Sequence, residues 1–296
     1  MRIGVDVGGT TVKIGVADNY KIIDKFVVKT KKESLFQDVL EGIKEHLGAD
    51  INKVEFIGFG LPGHAEDGFV YKLTNVEGVE NVDLRALCNS YFPGIPMGTT
   101  NDANAAALGE ALNDPNNPES SYLLTLGTGV GGGYVYNHKV IDGKHNSCGE
   151  IGHMFIDYKH NYKCNCGLTG CLETVASATG IVRLAKEYYS DYKTTLNKDT
   201  MSAKDVFDAA KQGDELGLYV LDLVGMYLGR GLAAIGCTTD PEVFYIGGGV
   251  SAAGQILIDK ITEYYKKYAF YSMKDTRITL ARMGNDAGML GAAYIK

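Results

Sequence analysis

The chain has 296 residues and a formal net charge of −7, a length that suits one large domain or two ordinary ones. Hydrophobic residues make up 45% of it and charged residues 22%, as in a soluble globular protein, and we find no run approaching the ~20 apolar residues that cross a bilayer. The acidic balance argues against a nucleic-acid partner, because binding to phosphate backbones depends on clustered Lys and Arg. The strand-like start at Arg2 has no signal-peptide pattern, so we expect a cytoplasmic protein without a membrane partner.

The first part of the chain alternates between strand and helix patterns. Residues 3–17 form two apolar runs around Gly8-Gly9-Thr10, which predicts a β-hairpin. The other elements predicted here are strands at 22–28 and 55–60, an amphipathic helix at 34–47, a turn at Leu61-Pro62-Gly63, irregular chain at 64–81 and a short helix from Asp83.

The stretch from Thr99 to Leu112 places two polar side chains where a strand gives way to a helix. The residues from Ala103 onward are mostly strong helix formers, and Asn101 and Asp102 stand where an N-cap is expected. Junctions of this kind carry the reactive groups of many α/β sheets, and a carboxylate held there can accept a proton. Asp102 is therefore either a helix cap or a general base, and one residue can serve as both.

A polar loop at 113–121 with two prolines is the best candidate for a domain boundary, which gives domains at 1–112 and 113–285. Beyond it, residues 122–136 repeat the opening pattern of strand, small-residue turn and strand, which indicates an internal duplication. The remaining predicted elements are helices near 173–189, 203–211, 215–235, 252–268 and 287–294, and a strand at 243–246; the last helix, at about 286–296, is expected to pack on the N-terminal domain.

Three strands end in small-residue turns, at Gly8-Gly9-Thr10, Gly127-Thr128-Gly129 and Gly247-Gly248-Gly249. Such turns are either tight hairpins or places where backbone amides approach a ligand, and their recurrence favours nucleotide phosphates. Asp6, just before the first turn, could hold Mg²⁺ through water. The spacing Gly127-x-Gly129-x-x-Gly132 also matches a dinucleotide fingerprint, but that fingerprint opens a helix, whereas this segment continues as a strand.

Four potential metal ligands lie within a short Gly-rich stretch: His153, Cys164, Cys166 and Cys171. One imidazole and three thiolates are the ligands that tetrahedral structural zinc prefers, and four protein ligands leave no position for a reactive water. The alternatives are free thiols or an adventitious disulfide. If His153 binds the metal through one ring nitrogen, the other nitrogen can meet a substrate hydroxyl, and closure of the loop could gather Glu150 and Glu173 beside it.

The ordered motifs of the chain are Asp6-x-Gly8-Gly9-Thr10, Asn101-Asp102-x-Asn104-Ala105-Ala106, Gly127-Thr128-Gly129-x-Gly131-Gly132-Gly133, Gly149-Glu150-Ile151-Gly152-His153 and Cys164-x-Cys166-Gly167-x-x-Gly170-Cys171-x-Glu173. Together they resemble the ROK family of sugar kinases and repressors over essentially the whole chain. The resemblance implies an actin-like, or ribonuclease-H-like, ATPase fold of two duplicated α/β domains, with ATP and sugar in the cleft between them. A homodimer is the family expectation.

The resemblance also implies a role for each matching residue. Asp102 would be the base that takes a proton from a sugar hydroxyl. The expected sugar contacts are Asn101, Asp102, Glu150, His153 and Glu173, with Gly63 and Asn75 as further ones. The residues expected to hold Mg²⁺ and ATP are Asp6, Gly8, Gly9, Thr10, Thr11, Lys13, Gly127, Thr128, Gly129, Gly248 and Gly249. Zn²⁺ would be held by His153 and the three clustered cysteines.

The segment Gly149–His153 with Glu173 is most similar to the glucokinase branch of that family, so phosphorylation of glucose to glucose 6-phosphate is the expected reaction. Kinases for N-acetylmannosamine, N-acetylglucosamine, allose or fructose are alternatives, because Cys148 replaces a common alanine and Gly78-Val79 replaces a common Gly-Trp pair. A repressor is disfavoured, since family repressors carry a helix-turn-helix before the first motif, which here begins at Asp6. A non-catalytic sugar sensor is the remaining alternative.

Overall fold

The computed structural model describes residues 1–295, which form two compact units. The first unit consists of Met1–Glu119, Gly133–Cys148 and the C-terminal segment from Met283; the second consists of Ser120–Gly132 and Gly149–Arg282. The boundaries expected from sequence did not include the return of Gly133–Cys148 to the first unit. Residue 296, the last of the expected terminal helix, lies outside the described part of the chain.

The first unit is built on a mixed five-stranded sheet of order β3-β2-β1-β4-β8. In it β1 pairs antiparallel with β2 and parallel with β4, and β4 pairs parallel with β8. Its elements in chain order are β1 (Arg2–Val7), β2 (Thr11–Asp18), β3 (Lys21–Lys29), α1 (Leu35–Leu47), β4 (Phe56–Leu61), β5 (Gly63–Glu66), β6 (Phe69–Leu73), β7 (Glu80–Asp83), α2 (Leu84–Tyr91), β8 (Met97–Asn101) and α3 (Asp102–Asn113). The predicted hairpin, α1 and the helix from Asp83 are confirmed.

The C-terminal helix α9 (Asp286–Tyr294) packs on one face of this sheet at backbone distance. A Cβ atom on Gly4 would lie 1.8 Å from the carbonyl oxygen of Met289, and one on Gly58 would lie 1.8 Å from that of Ala292. Only glycine fits at such contacts, because any side chain would push the helix away. The alternation of β1 then directs Ile3 and Val5 to the opposite face, into the core that includes α1.

Residues 64–81, predicted to be irregular, contain two of the three strands of a second sheet, of order β5-β6-β7. The prediction of irregular chain was therefore wrong. These strands are four or five residues long and mostly exposed, so they carry too few buried positions to produce a readable alternation.

A second five-stranded sheet of the chain has the same topology as the first. Its strand order is β11-β10-β9-β12-β13. As in the first sheet, an antiparallel pair (β11 and β10) lies on one side, and the central strand β9 begins a run of parallel pairs with β12 and β13. The elements that complete the chain are β9 (Ser120–Leu126), β10 (Val130–Tyr136), β11 (Lys139–Val140), α4 (Glu173–Ala176), α5 (Ala178–Glu187), α6 (Ala203–Lys211), α7 (Glu215–Thr239), β12 (Val243–Gly247), α8 (Gln255–Tyr268) and β13 (Arg277–Leu280). Short 3₁₀ turns lie at Gly48–Lys53, Ile151–His153, Gly249–Ala253 and Tyr271–Met273. The repeated strand order supports the predicted duplication.

Two helices of the second unit differ from the predicted ones. The helix expected near 173–189 is interrupted at Ser177, whose side chain caps α5 by accepting a hydrogen bond from Gly180 N at 3.1 Å. Helix α7 is longer than predicted, and by length and composition it could span a membrane. Because 67% of its apolar window is buried inside the protein, we interpret it as a core helix of the second unit.

Candidate functional site

Three parallel strands of the first unit end side by side. Asp6 near the end of β1 is in register with Gly60 of β4, and Gly60 is in register with Thr100 of β8. The next position on β8 is Asn101, followed directly by α3. The carboxyl ends of parallel strands are where α/β sheets bind ligands, so the register alone assembles Asp6, Asn101 and Asp102 at one edge.

Asp102 is the first residue of α3, and Asn101 is the N-cap. The Oδ1 atoms of both side chains accept a hydrogen bond from Ala103 N, each at 2.9 Å. The cap role considered for Asp102 is therefore filled by its neighbour. Burial raises the pKa of Asp102, while hydrogen bonds from the backbone amides of Ala103 and Asp102 itself act in the opposite direction. A carboxylate with a raised pKa is suited to accept a proton near neutral pH.

Asp6 shares this environment. Burial raises its pKa to about 6; Lys13 opposes the rise, and the charge of Asp102 adds to it. The Nζ atom of Lys13 lies 3.9 Å from Asp6 Oδ2 and donates a hydrogen bond to Asn285 Oδ1 at 3.1 Å. A buried carboxylate of this kind gains from a bound cation, because a cation offsets the cost of keeping it ionised. Sequence reasoning missed Asn285, which no motif marks.

We expect Asp6→Asn to stabilise the ligand-free protein at pH 7.5. The difference between the ordinary value of 3.8 and about 6 corresponds to about 3 kcal/mol against the folded state once Asp6 is ionised. Thermal denaturation should show a midpoint higher by about 5 °C. The gain should shrink as the pH falls from 7 toward 4 and disappear below the ordinary value of 3.8, where the carboxyl is neutral in both states. The exposed Asp18→Asn is the control, and an equal gain there, or none at Asp6, contradicts the account.

The turn at Gly8–Thr11 is closed by a hydrogen bond from Gly8 N to Thr11 O at 3.1 Å. It lies against Asn75, whose carbonyl oxygen would be 2.8 Å from a Cβ on Gly9. Gly63 pairs with Leu73 and adopts φ 141°, a conformation that favours glycine. The predicted turn residues and Asn75 are thus brought together within the first unit, with Gly9 and Thr10 exposed.

The second unit holds the other two glycine turns at the ends of β9 and β12, which pair in parallel up to Gly247 and Thr125. Gly127 N donates a hydrogen bond to Gly129 O at 2.9 Å, and Ala178 N at the start of α5 donates to Gly127 O at 2.8 Å. Gly248 has φ 80° and packs on the backbone of Leu126. The chain continues after Gly127-Thr128-Gly129 as the strand β10. This confirms the prediction that the glycine spacing here is not a dinucleotide fingerprint, which would open a helix.

The four predicted metal ligands come together in the second unit. The donor atoms of His153, Cys164, Cys166 and Cys171 all lie within 4.8 Å of one another. Cys164 Sγ is 3.6 Å from His153 Nδ1, and Cys166 Sγ is 3.7 Å from Cys171 Sγ. Tetrahedral zinc with ordinary bond lengths separates such ligands by about 3.6–3.8 Å. The donor set and its spacing therefore fit one zinc ion held by protein ligands alone.

The two remaining acidic candidates, Glu150 and Glu173, lie beside this cluster. His153 directs Nδ1 to Cys164 and lies with Nε2 3.9 Å from Glu150 Oε2. Glu173 begins α4 and accepts a hydrogen bond from Val130 N at 3.0 Å. The structure thus gathers Glu150, His153 and Glu173 at the metal loop of the second unit, and it gathers Asp6, Asn101 and Asp102 in the first.

A further residue, Asp157, anchors the metal loop and was not predicted. It is fully buried, and it accepts hydrogen bonds from the backbone amides of Lys159, His160 and Asn161 and from the Tyr227 hydroxyl at 2.9 Å. Burial alone would raise the pKa of Asp157, but these hydrogen bonds lower it overall. Because Tyr227 is distant in sequence, no local pattern could have revealed the contact.

Comparison with known proteins identifies the family. The sequence model of the ROK family matches residues 2–296. The chain is 38% identical to the glucokinase of Halalkalibacterium halodurans over 311 residues, covering 99% of this chain and 94% of that protein. The crystal structure of the ROK hexokinase from Thermus thermophilus has a TM-score of 0.84 and 30% identity, covering 99% and 96% of the two chains.

A further solved structure is the ROK family glucokinase of Streptomyces griseus in complex with glucose and AMPPNP. Its TM-score is 0.74 at 28% identity, with 99% of this chain and 97% of that chain covered. These full-length matches agree with the repeated sheet topology and with the actin-like ATPase fold expected from sequence. The chain belongs to the ROK family.

Proposed function

We propose that this chain is an ATP-dependent glucokinase that converts glucose to glucose 6-phosphate, with Asp102 as the general base. The observation that carries the proposal is the placement of Asp102 at the carboxyl end of β8, with a pKa raised by burial. The glucokinase from Halalkalibacterium halodurans and the glucose and AMPPNP complex of the Streptomyces griseus enzyme support the choice of both substrates.

The role of Asp102 follows from what phosphoryl transfer requires. The reaction needs positioning, neutralisation of phosphate charge and removal of the proton of the attacking hydroxyl, with little covalent help from the protein. Asp102 accepts that proton as the oxygen–phosphorus bond forms and the bond from the γ-phosphorus to ADP breaks. Its hydrogen bond from Ala103 N fixes one carboxylate oxygen, so the base is already oriented.

Sugar hydroxyls can be bound by carboxylates, which accept hydrogen bonds, and by amide and imidazole groups, which can also donate them. We assign Asn101, Asp102, Glu150, His153 and Glu173 to the sugar, with Gly63 and Asn75 as further contacts. The metal cluster supports this role for His153, since a metal on Nδ1 would fix the tautomer and leave Nε2 to meet a hydroxyl.

In this proposal the glycine turns and one lysine bind the phosphates of ATP. We assign Gly8, Gly9, Thr10, Thr11, Lys13, Gly127, Thr128, Gly129, Gly248 and Gly249 to ATP, because backbone amides and an ammonium group neutralise phosphate oxygens. Asp6 would hold Mg²⁺, which supplies charge neutralisation of the phosphates when bound. Structural Zn²⁺ would be held by His153, Cys164, Cys166 and Cys171. We also infer a cytoplasmic homodimer, as is expected for the family.

The test is a stoichiometry measurement with purified protein, Mg²⁺, ATP and glucose. ADP release and glucose 6-phosphate formation, each followed by a coupled enzyme assay, should proceed in a one-to-one ratio and only when sugar is present. ADP release without phosphorylated sugar would point to an ATPase, and no ADP release would favour the sensor alternative.

A further inference from the structure

The Glu173 carboxylate contacts two segments of the second unit that the proposed function assigns to different ligands. Its Oε2 atom accepts a hydrogen bond from Val130 N at 3.0 Å, directly after the turn assigned to ATP. Its Oε1 atom lies 3.8 Å from Cys164 Sγ, one of the metal ligands. One side chain therefore joins the glycine turn to the metal loop.

The carboxylate of Glu173 is packed closely against the turn. A Cβ atom on Gly129 would lie 2.3 Å from Glu173 Oε2, so the carboxylate occupies the space beside the turn. The backbone of Gly152 is equally close, since a Cβ there would lie 2.1 Å from Val130 O. The metal loop and the turn are packed directly against each other, so we expect a change in the conformation of the loop to shift the turn.

We infer that Glu173 is a positioning residue that holds the turn at Gly127–Val130. Through Glu173, the metal loop sets the affinity of this turn for nucleotide. This inference rests on the proposed binding of ATP at that turn. Without the carboxylate, Val130 N loses its acceptor, and turn amides that must converge on phosphate oxygens lose their fixed orientation. A metal bound by the cluster would order the loop that leads into Glu173, so loss of the metal should act on the turn by the same route.

The test measures binding of AMPPNP with Mg²⁺ by calorimetry in the absence of sugar. Because no sugar is present, any loss of a sugar contact at Glu173 does not affect the result. Glu173→Ala should weaken binding roughly 10-fold, and Glu173→Gln, which keeps an oxygen acceptor for Val130 N, should stay within about threefold of the wild type. The control is Glu263→Ala, which removes an exposed glutamate of α8 that accepts a hydrogen bond from Lys260 at 2.9 Å, and it should leave the affinity unchanged.

A second arm removes zinc from the wild type with a zinc-selective chelator and quantifies the released metal by a colorimetric assay. AMPPNP binding should weaken, whereas zinc removal from Glu173→Ala should add little, because both changes act through one contact. This arm decides the matter on wild-type protein if Glu173→Ala does not fold.

The outcomes separate the inference from the function on which it rests. Wild-type protein that binds AMPPNP and phosphorylates glucose, combined with unchanged affinity in Glu173→Ala or after zinc removal, overturns the inference alone. Fully additive effects of zinc removal and Glu173→Ala overturn it as well. Wild-type protein that neither binds AMPPNP nor phosphorylates glucose overturns both proposals.

Discussion

Asp102→Asn is expected to lower kcat for glucose by about 10²–10⁴ while leaving the affinity for glucose nearly unchanged. Asparagine has almost the same shape and can still accept the hydrogen bond from Ala103 N, but it cannot take a proton from the sugar hydroxyl. The helix start should be preserved, because the N-cap is Asn101. The loss should therefore appear in turnover and not in folding.

The measurement pairs steady-state kinetics with calorimetric titration of glucose. Asp83→Asn is the matched control, since Asp83 is also an aspartate at a helix N-terminus and caps α2 by accepting from Ala86 N at 2.9 Å. Its kcat should equal that of the wild type, because asparagine is an equally good cap. If the turnover of Asp102→Asn stays within threefold of the wild type, Asp102 is not the general base.

Cys166→Ser is expected to abolish zinc binding and to lower the midpoint of thermal denaturation by about 10 °C or more. Binding of a structural metal contributes directly to folding, and the loss of one of four ligands leaves the others poorly held. The cluster carries the loop that contains His153 and leads into Glu173, so turnover should fall together with zinc content.

Zinc per chain, determined by atomic absorption, and the thermal midpoint should both change in this variant. Cys237→Ser is the matched control, because Cys237 is also exposed but lies outside the cluster. It should retain about one zinc per chain and the wild-type midpoint. Full zinc content in Cys166→Ser, or an equal loss in both variants, would contradict the proposed metal site.

The parts of the structure that could be predicted from sequence are those set by local chemistry. Alternating apolar residues around Gly8-Gly9 specify the first hairpin, and the run of helix formers after Asn101 specifies α3. The metal cluster could be predicted because ligand type and spacing are themselves the signal for zinc.

The parts that could not be predicted have weak local patterns or depend on contacts between distant segments. The strands β5 and β6 are too short to show an alternation of apolar and polar residues. The helix interruption at Ser177 becomes visible only from the hydrogen bond that its side chain accepts from Gly180 N. Likewise the bond from Lys13 to Asn285 and the bond from Val130 to Glu173 join residues that no motif relates. The supporting contacts of the candidate site therefore became visible only in the fold.

The choice of sugar is the central claim, and one measurement tests it most directly. We would determine kcat/KM with Mg²⁺ and ATP for glucose, N-acetylglucosamine, N-acetylmannosamine, allose and fructose in a single assay of ADP release. The proposed function predicts that glucose exceeds every other sugar by at least about tenfold, a discrimination of roughly 1.4 kcal/mol in the transition state. A higher value for an N-acetylated sugar, or for allose or fructose, would contradict the assignment to glucose.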